Sequence, residues 1–128
     1  MYKVKKYDLS DLSQLKEFRF NDIDERTGEL ISAGFTHESL QFSLSQNSQI
    51  NISALHQSKD DVALTYPIKY NTIDDLDCYD VPDASDLHVM YLTALATKKG
   101  FIDSGTALKQ EVRDAVDIEA VNLILDER

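Results

Sequence analysis

A chain of 128 residues, 42% apolar and 28% charged, has the make-up of one ordinary globular domain and is long enough to bury ~60–70% of the surface its unfolded form exposes. The net charge is −10, and with Lys3, Lys5 and Lys6 set aside the remainder carries 10 positive against 23 negative charges; such a body repels phosphate, which argues against nucleic-acid binding. No apolar run approaches the ~18 residues of a membrane span, and the one cysteine, Cys78, excludes an internal disulfide and reads as a small half-buried hydrophobe in a reducing compartment.

The opening MYKVKKYDLS is basic but has no apolar centre, so a secretory signal is not expected. Tyr2 and Val4 alternate with Lys3 and Lys5, a short strand pattern. Residues 1–8 are therefore either an edge strand of the domain's own sheet or an arm reaching to a neighbour. Asp8 to Ser13 offers N-caps for a first helix whose apolar face carries Leu15, Phe18, Ile23, Leu30 and Ile31. Gly34 sits where a left-handed cap would end it. Gly28 weakens the helix by about 1 kcal/mol relative to Ala and suggests close packing of another element.

Phe35 opens a compact hairpin with Leu40, Phe42 and Leu44 apolar and His37, Glu38 and Ser39 in the turn. Ser45 is a plausible N-cap for a second helix with Ile50, Ile52 and Leu55. Leu64, Tyr66, Ile68 and Tyr70 alternate as a strand, and Pro67 marks it as an edge because it cannot donate to a ladder. Asn71 to Asp75 turns the chain into a return strand formed by Leu76, Cys78 and Val81 or Tyr79. Asp83 then caps the longest helix. Its apolar seam runs Ala84, Leu87, Tyr91, Ala94, Lys98, Phe101, Gly105, Leu108, Val112, Ala115, at steps of three and four with Lys98 the one polar member. Unbroken, it would be ~50 Å long, with Gly100 and Gly105 the places it could bend. Asp117 caps a short last helix with Ile118, Val121, Ile124 and Leu125. The order predicts an α+β fold over residues 1–128 as a single domain: an N-terminal helix, two short antiparallel hairpins interleaved with helices, and a long C-terminal helix or helical hairpin.

Catalytic chemistry is hard to find. His37, His56 and His88 have no partner at metal-ligand spacing, so solvent-facing or locally bonded histidines are expected and no metal site. Asp74, Asp75, Asp77, Asp80, Asp83 and Asp86 lack the glycine of a calcium loop and read as turn residues and helix caps. GFIDSG at Gly100 to Gly105 lacks the lysine and serine of a phosphate loop. Neither a nucleophile elbow nor a Cys-X-X-Cys pair is present. Tyr66, Tyr70 and Tyr79 could form a binding face, though ordinary strand residues are the simpler reading. The 23 acids offer many carboxylate pairs for a hydrolase but nothing singles one out, and an acidic surface is the simpler reading. No cofactor is expected. The long seam is either an intramolecular packing stripe or an oligomer interface, and an apolar stripe alone does not distinguish the two. As an interface it would work through Tyr91, Lys98, Phe101, Leu108 and Val112, with Tyr2, Lys3, Val4, Lys5 and Lys6 as a docking arm.

The order of IDERTGELISAGF at Ile23 to Phe35, FSLS at Phe42 to Ser45, then Gln49 and Asn51, resembles an uncharacterised domain family found in tail-associated proteins of bacteriophages. Tyr66-Pro67, Asp83 to Ser85, and Ser104 to Leu108 extend the likeness over roughly Phe18 to Val121. Relatives commonly carry Trp after the Asn, where this chain has Ile52. The resemblance implies not an enzyme but a virion structural protein of the tail or tail-fibre attachment region, made in the host bacterial cytoplasm. It would act through contacts with other tail or fibre proteins and through self-association as a homo-oligomer, for example a trimer. Two alternatives are a tail-fibre assembly chaperone that leaves the particle, and a small acidic phage protein that binds and regulates a host protein.

Overall fold

The structure, a computed structural model, describes residues 6–128. The fold is α+β. In chain order the elements are α1 (Leu12–Ser32), β1 (Phe35–His37), β2 (Leu40–Phe42), α2 (Gln46–Gln57), β3 (Ile68–Asn71), β4 (Cys78–Val81), α3 (Ala84–Asp114) and α4 (Ile118–Asn122). This is the predicted succession of helices and two antiparallel hairpins. Two compact units can be told apart. One is mid-chain, Glu29–Phe101; the other joins the described residues up to Gly28 with Ile102–Arg128. Most of the expected arm, Tyr2 to Lys5, lies outside the described residues. Lys6 is exposed and not in a strand.

In the mid-chain unit the turn from α1 into β1 depends on Gly34. Its φ of +84° is a conformation only glycine adopts freely, and its amide donates to the Ile31 carbonyl at 2.9 Å. A Cβ there would lie 2.0 Å from the Phe42 carbonyl oxygen, so the helix end and the hairpin are locked together by the absence of a side chain. β1 and β2 pair with Phe35 opposite Phe42 and His37 opposite Leu40. The turn is Glu38 and Ser39, with φ of 50° and 65°: two left-handed residues, as a tight two-residue hairpin demands. Strand alternation then decides the fate of His37. Phe35 and His37 point inward and Thr36 outward, as the period of two requires.

Ser45 caps α2 as expected, its hydroxyl accepting from the Ser48 amide at 3.2 Å. The second hairpin is shorter than its apolar alternation suggests. β3 begins only at Ile68, immediately after Pro67, which has no N–H to donate. It pairs with β4 so that Ile68 faces Val81 and Tyr70 faces Tyr79. The core of this unit is Phe35, Phe42, Leu44, Ile52, Val81, Leu87, Met90 and Ala94, with Tyr66, Tyr70 and Tyr79 packed against it. Tyr70 and Tyr79 are thus strand residues contributing to a core, and Tyr66 packs against the same core from the segment before β3. Cys78 is exposed, not half-buried as the sequence suggested, because β4 alternates and places it with Asp80 on the outer face.

The other unit has its own core of Leu15, Ile23, Val112 and Val121, flanked by Leu12, Phe20, Leu108, Ala115, Ile118 and Ile124. Phe18, expected on the buried face of α1, is 37% exposed and instead meets Tyr7 edge to face at 5.5 Å. Gly28 has nothing within 4 Å of a built Cβ, whereas at Gly105 that Cβ would meet Thr27 Oγ1 at 2.7 Å. The close approach anticipated at Gly28 is found at Gly105. The chain's last residues are held by cations on α1. Arg19 donates to the Val121 and Ile124 carbonyls, and Arg26 donates to the Arg128 carbonyl at 2.6 and 2.9 Å. Arg128 in turn pairs with Asp126 at 2.8 Å, which holds the Asp126 carboxyl below the usual carboxylate range.

α3 is continuous over 31 residues, about 46 Å at 1.5 Å per residue; neither Gly100 nor Gly105 breaks it. Asp83 caps it, its carboxylate accepting from the Asp86 amide at 2.8 Å.

Candidate functional site

At one end of the mid-chain unit, three chain segments bring polar groups together around His37. The ring is only 6% exposed, carried inward by the alternation of β1. Asp86, in the first turn of α3, presents its carboxylate edge-on, with His37 Nε2 at 3.3 Å from both Oδ1 and Oδ2. Tyr79 of β4 donates its hydroxyl to Asp86 Oδ2 at 2.6 Å and lies edge to face on the His37 ring at 5.3 Å. That bond, together with desolvation, pushes the Tyr79 hydroxyl up to about 12, since a nearby carboxylate opposes a second negative charge. Glu38 follows His37 in the turn, and the ligand atoms of His37, Glu38 and Asp86 lie within 4.8 Å of one another. Asp86 was expected as a cap or turn residue in solvent. It is half-buried and shared between a histidine and a tyrosine. His37 and Asp86 are 49 positions apart, which is why no spacing rule found the pair, and His37, expected in the turn, is the last residue of β1 and faces inward by its alternation.

A groove of about 460 Å³ runs along the junction of α2 and α3 in the same unit, lined by Leu44, Ile50, Ala54, Tyr91, Ala94 and Leu95, with Gln49 and Lys98 at its polar end. Lys98, the polar member of the seam, donates to Gln49 Oε1 at 2.6 Å. Gln49 Nε2 donates back to the Leu44 carbonyl at 2.6 Å. The glutamine of the Gln49/Asn51 motif thus joins the start of α2 to α3. At the other end of α2, His56 Nε2 sits 2.8 Å from His88 Nδ1, and the His56 ring stacks on Tyr91 at 3.9 Å. One of the two facing nitrogens must donate and the other accept. Desolvation by this stack, with Lys59 and His88 alongside, holds His56 below the usual histidine range.

The residues expected to form an interface fall in different places. Tyr2, Lys3, Val4 and Lys5 lie outside the described residues, and Lys6 is exposed. Val112 is fully buried and Leu108 packs against the same core. Tyr91 packs against the mid-chain core, Lys98 is engaged by Gln49, and Phe101 is half-buried. The seam is therefore the inward face of α3. The apolar residues this helix leaves outside in the mid-chain unit are Val89, Leu92 and Leu95, each close to half exposed; Leu95 lines the groove together with Ile50 of α2, itself 59% exposed. They were overlooked because the heptad reading followed the stronger stripe.

No curated protein and no solved structure matches this chain. Residues 14–125 match a protein family described as a domain of unknown function (DUF4376). With the match running from the start of α1 to beyond α4, the chain belongs to the DUF4376 family.

Proposed function

We propose that this protein is a non-enzymatic structural component of a bacteriophage virion, sited at the tail or tail-fibre attachment region and acting through protein–protein contacts. The observation that carries the contact-based reading is the outer face of α3. Val89, Leu92 and Leu95 stand close to half exposed at a spacing of three along one side of a helix, and Leu95 lines one groove with the exposed Ile50. Contiguous exposed apolar side chains of this kind mark interaction surfaces. The placement in a phage tail rests on the motifs from Ile23 to Leu108 that resemble tail-associated domains. A basic arm at Tyr2 to Lys6 would dock on an acidic patch of a neighbouring tail or fibre protein, and self-association would use the α3 face.

Light scattering on the untagged chain tests the self-association. The expected mass is a multiple of 14.5 kDa. Because each copy carries a net charge of −10, like-charge repulsion opposes assembly, and added salt should shift the mass upward by screening it. Leu92→Asp should return the protein to monomer. A wild-type mass of one chain at all salt concentrations would rule out self-association through this face.

A further inference from the structure

We infer that His37, Glu38 and Asp86 form a binding site for a borderline divalent metal ion, with Zn²⁺ the best-fitting occupant. The geometry of the His37–Asp86 contact is the first reason. A histidine paired with a carboxylate through a charge-assisted hydrogen bond closes to about 2.7–2.9 Å on one oxygen. Here Nε2 faces the midpoint of the carboxylate, 3.3 Å from each oxygen. Two ligand atoms each about 2.1 Å from one ion stand roughly 3.0 Å apart at a right angle and 3.4 Å apart at the tetrahedral angle. The observed separation falls in that interval.

The surroundings are the second reason. A metal-binding carboxylate is normally oriented by an outer hydrogen bond, and the Tyr79 hydroxyl supplies one to Asp86 Oδ2 at 2.6 Å. The imidazole is held by burial and by the Tyr79 ring against its edge. Glu38 follows His37 in the two-residue turn, so the hairpin itself carries a second carboxylate to the histidine. Its exposed side chain holds a carboxylate oxygen within 4.8 Å of the His37 and Asp86 ligand atoms.

The donor set selects the cation class. One imidazole nitrogen with two carboxylates suits Zn²⁺ and its first-row neighbours, whereas Ca²⁺ wants six to eight oxygens. Three protein ligands leave a tetrahedral ion one open position, which water or a partner's side chain would fill. Bound there, the ion would clip the β1–β2 turn to the first turn of α3. The inference is independent of any role in a phage particle.

The test is a Zn²⁺ titration of the untagged, chelator-treated full chain in competition with a chromophoric chelator, with a parallel Ca²⁺ titration. The expected result is one Zn²⁺ per chain, at least tenfold weaker binding in Glu38→Gln and in Asp86→Asn, and unchanged binding in a His56→Gln/His88→Gln double variant. Asp86→Asn also exchanges the charged acceptor of Tyr79 for a neutral amide and can loosen the fold. Glu38→Gln alters only an exposed turn, so with an unchanged circular dichroism spectrum it decides the question alone. Failure to bind Zn²⁺, binding that survives Glu38→Gln, binding lost with His56 and His88, or Ca²⁺ bound as tightly as Zn²⁺ would each overturn the assignment.

Discussion

Gly34 and Gly28 look alike in the sequence, two glycines near the end of one helix, yet their environments are opposite. Gly34 has a left-handed backbone and a carbonyl oxygen 2.0 Å from where a Cβ would stand; Gly28 has open space. Gly34→Ala should therefore destabilise by at least ~2 kcal/mol through backbone strain and the forced displacement of β2. Gly28→Ala should stabilise by up to ~1 kcal/mol through helix propensity. Urea unfolding midpoints of the two variants check both signs. The capping roles of Gly34, Ser45, Asp83 and Asp117 were legible because each depends on neighbours within a few residues. The exposure of Cys78, the pairing of His56 with His88 and the sharing of Asp86 between His37 and Tyr79 were not. The exposure of Cys78 depends on which face of β4 turns outward, and the two pairings depend on which chain segments the fold brings together, His56 and His88 being 32 residues apart.

At the scale of elements, type and order followed from periodicity, but the direction each face points did not. The α3 seam was readable at steps of three and four, and its side chains are the half-buried to buried ones, from Leu87 and Ala94 to Gly105 and Val112. Its one polar position is accounted for by Gln49, which accepts from Lys98, so the lysine satisfies a partner on α2 rather than interrupting the stripe. The sequence could not reveal this because Gln49 and Lys98 are likewise 49 residues apart. The inward seam and the outer face differ in what a charge would do. Val112→Asp places an unpaired carboxylate in a fully buried position and should cost more than ~3 kcal/mol, enough to unfold a marginal protein. Leu92→Asp, at 47% exposure, should stay within ~0.5 kcal/mol of wild type in the monomer. Thermal melts in high dilution would show the contrast. Equal destabilisation would mean that the outer face is also part of a core.

For the whole molecule, the α+β class and the element order could be read from the chain, while any functional reading had to come from resemblance and from exposed surface. The DUF4376 family match covers residues 14–125. The most direct test of a virion role is quantitative mass spectrometry of purified particles from a phage that encodes this chain. Peptides of the protein present at a fixed ratio to the tail proteins, through successive rounds of purification, are the predicted result. Abundance in infected cells with absence from the particles would contradict it and turn attention to the chaperone or host-directed reading.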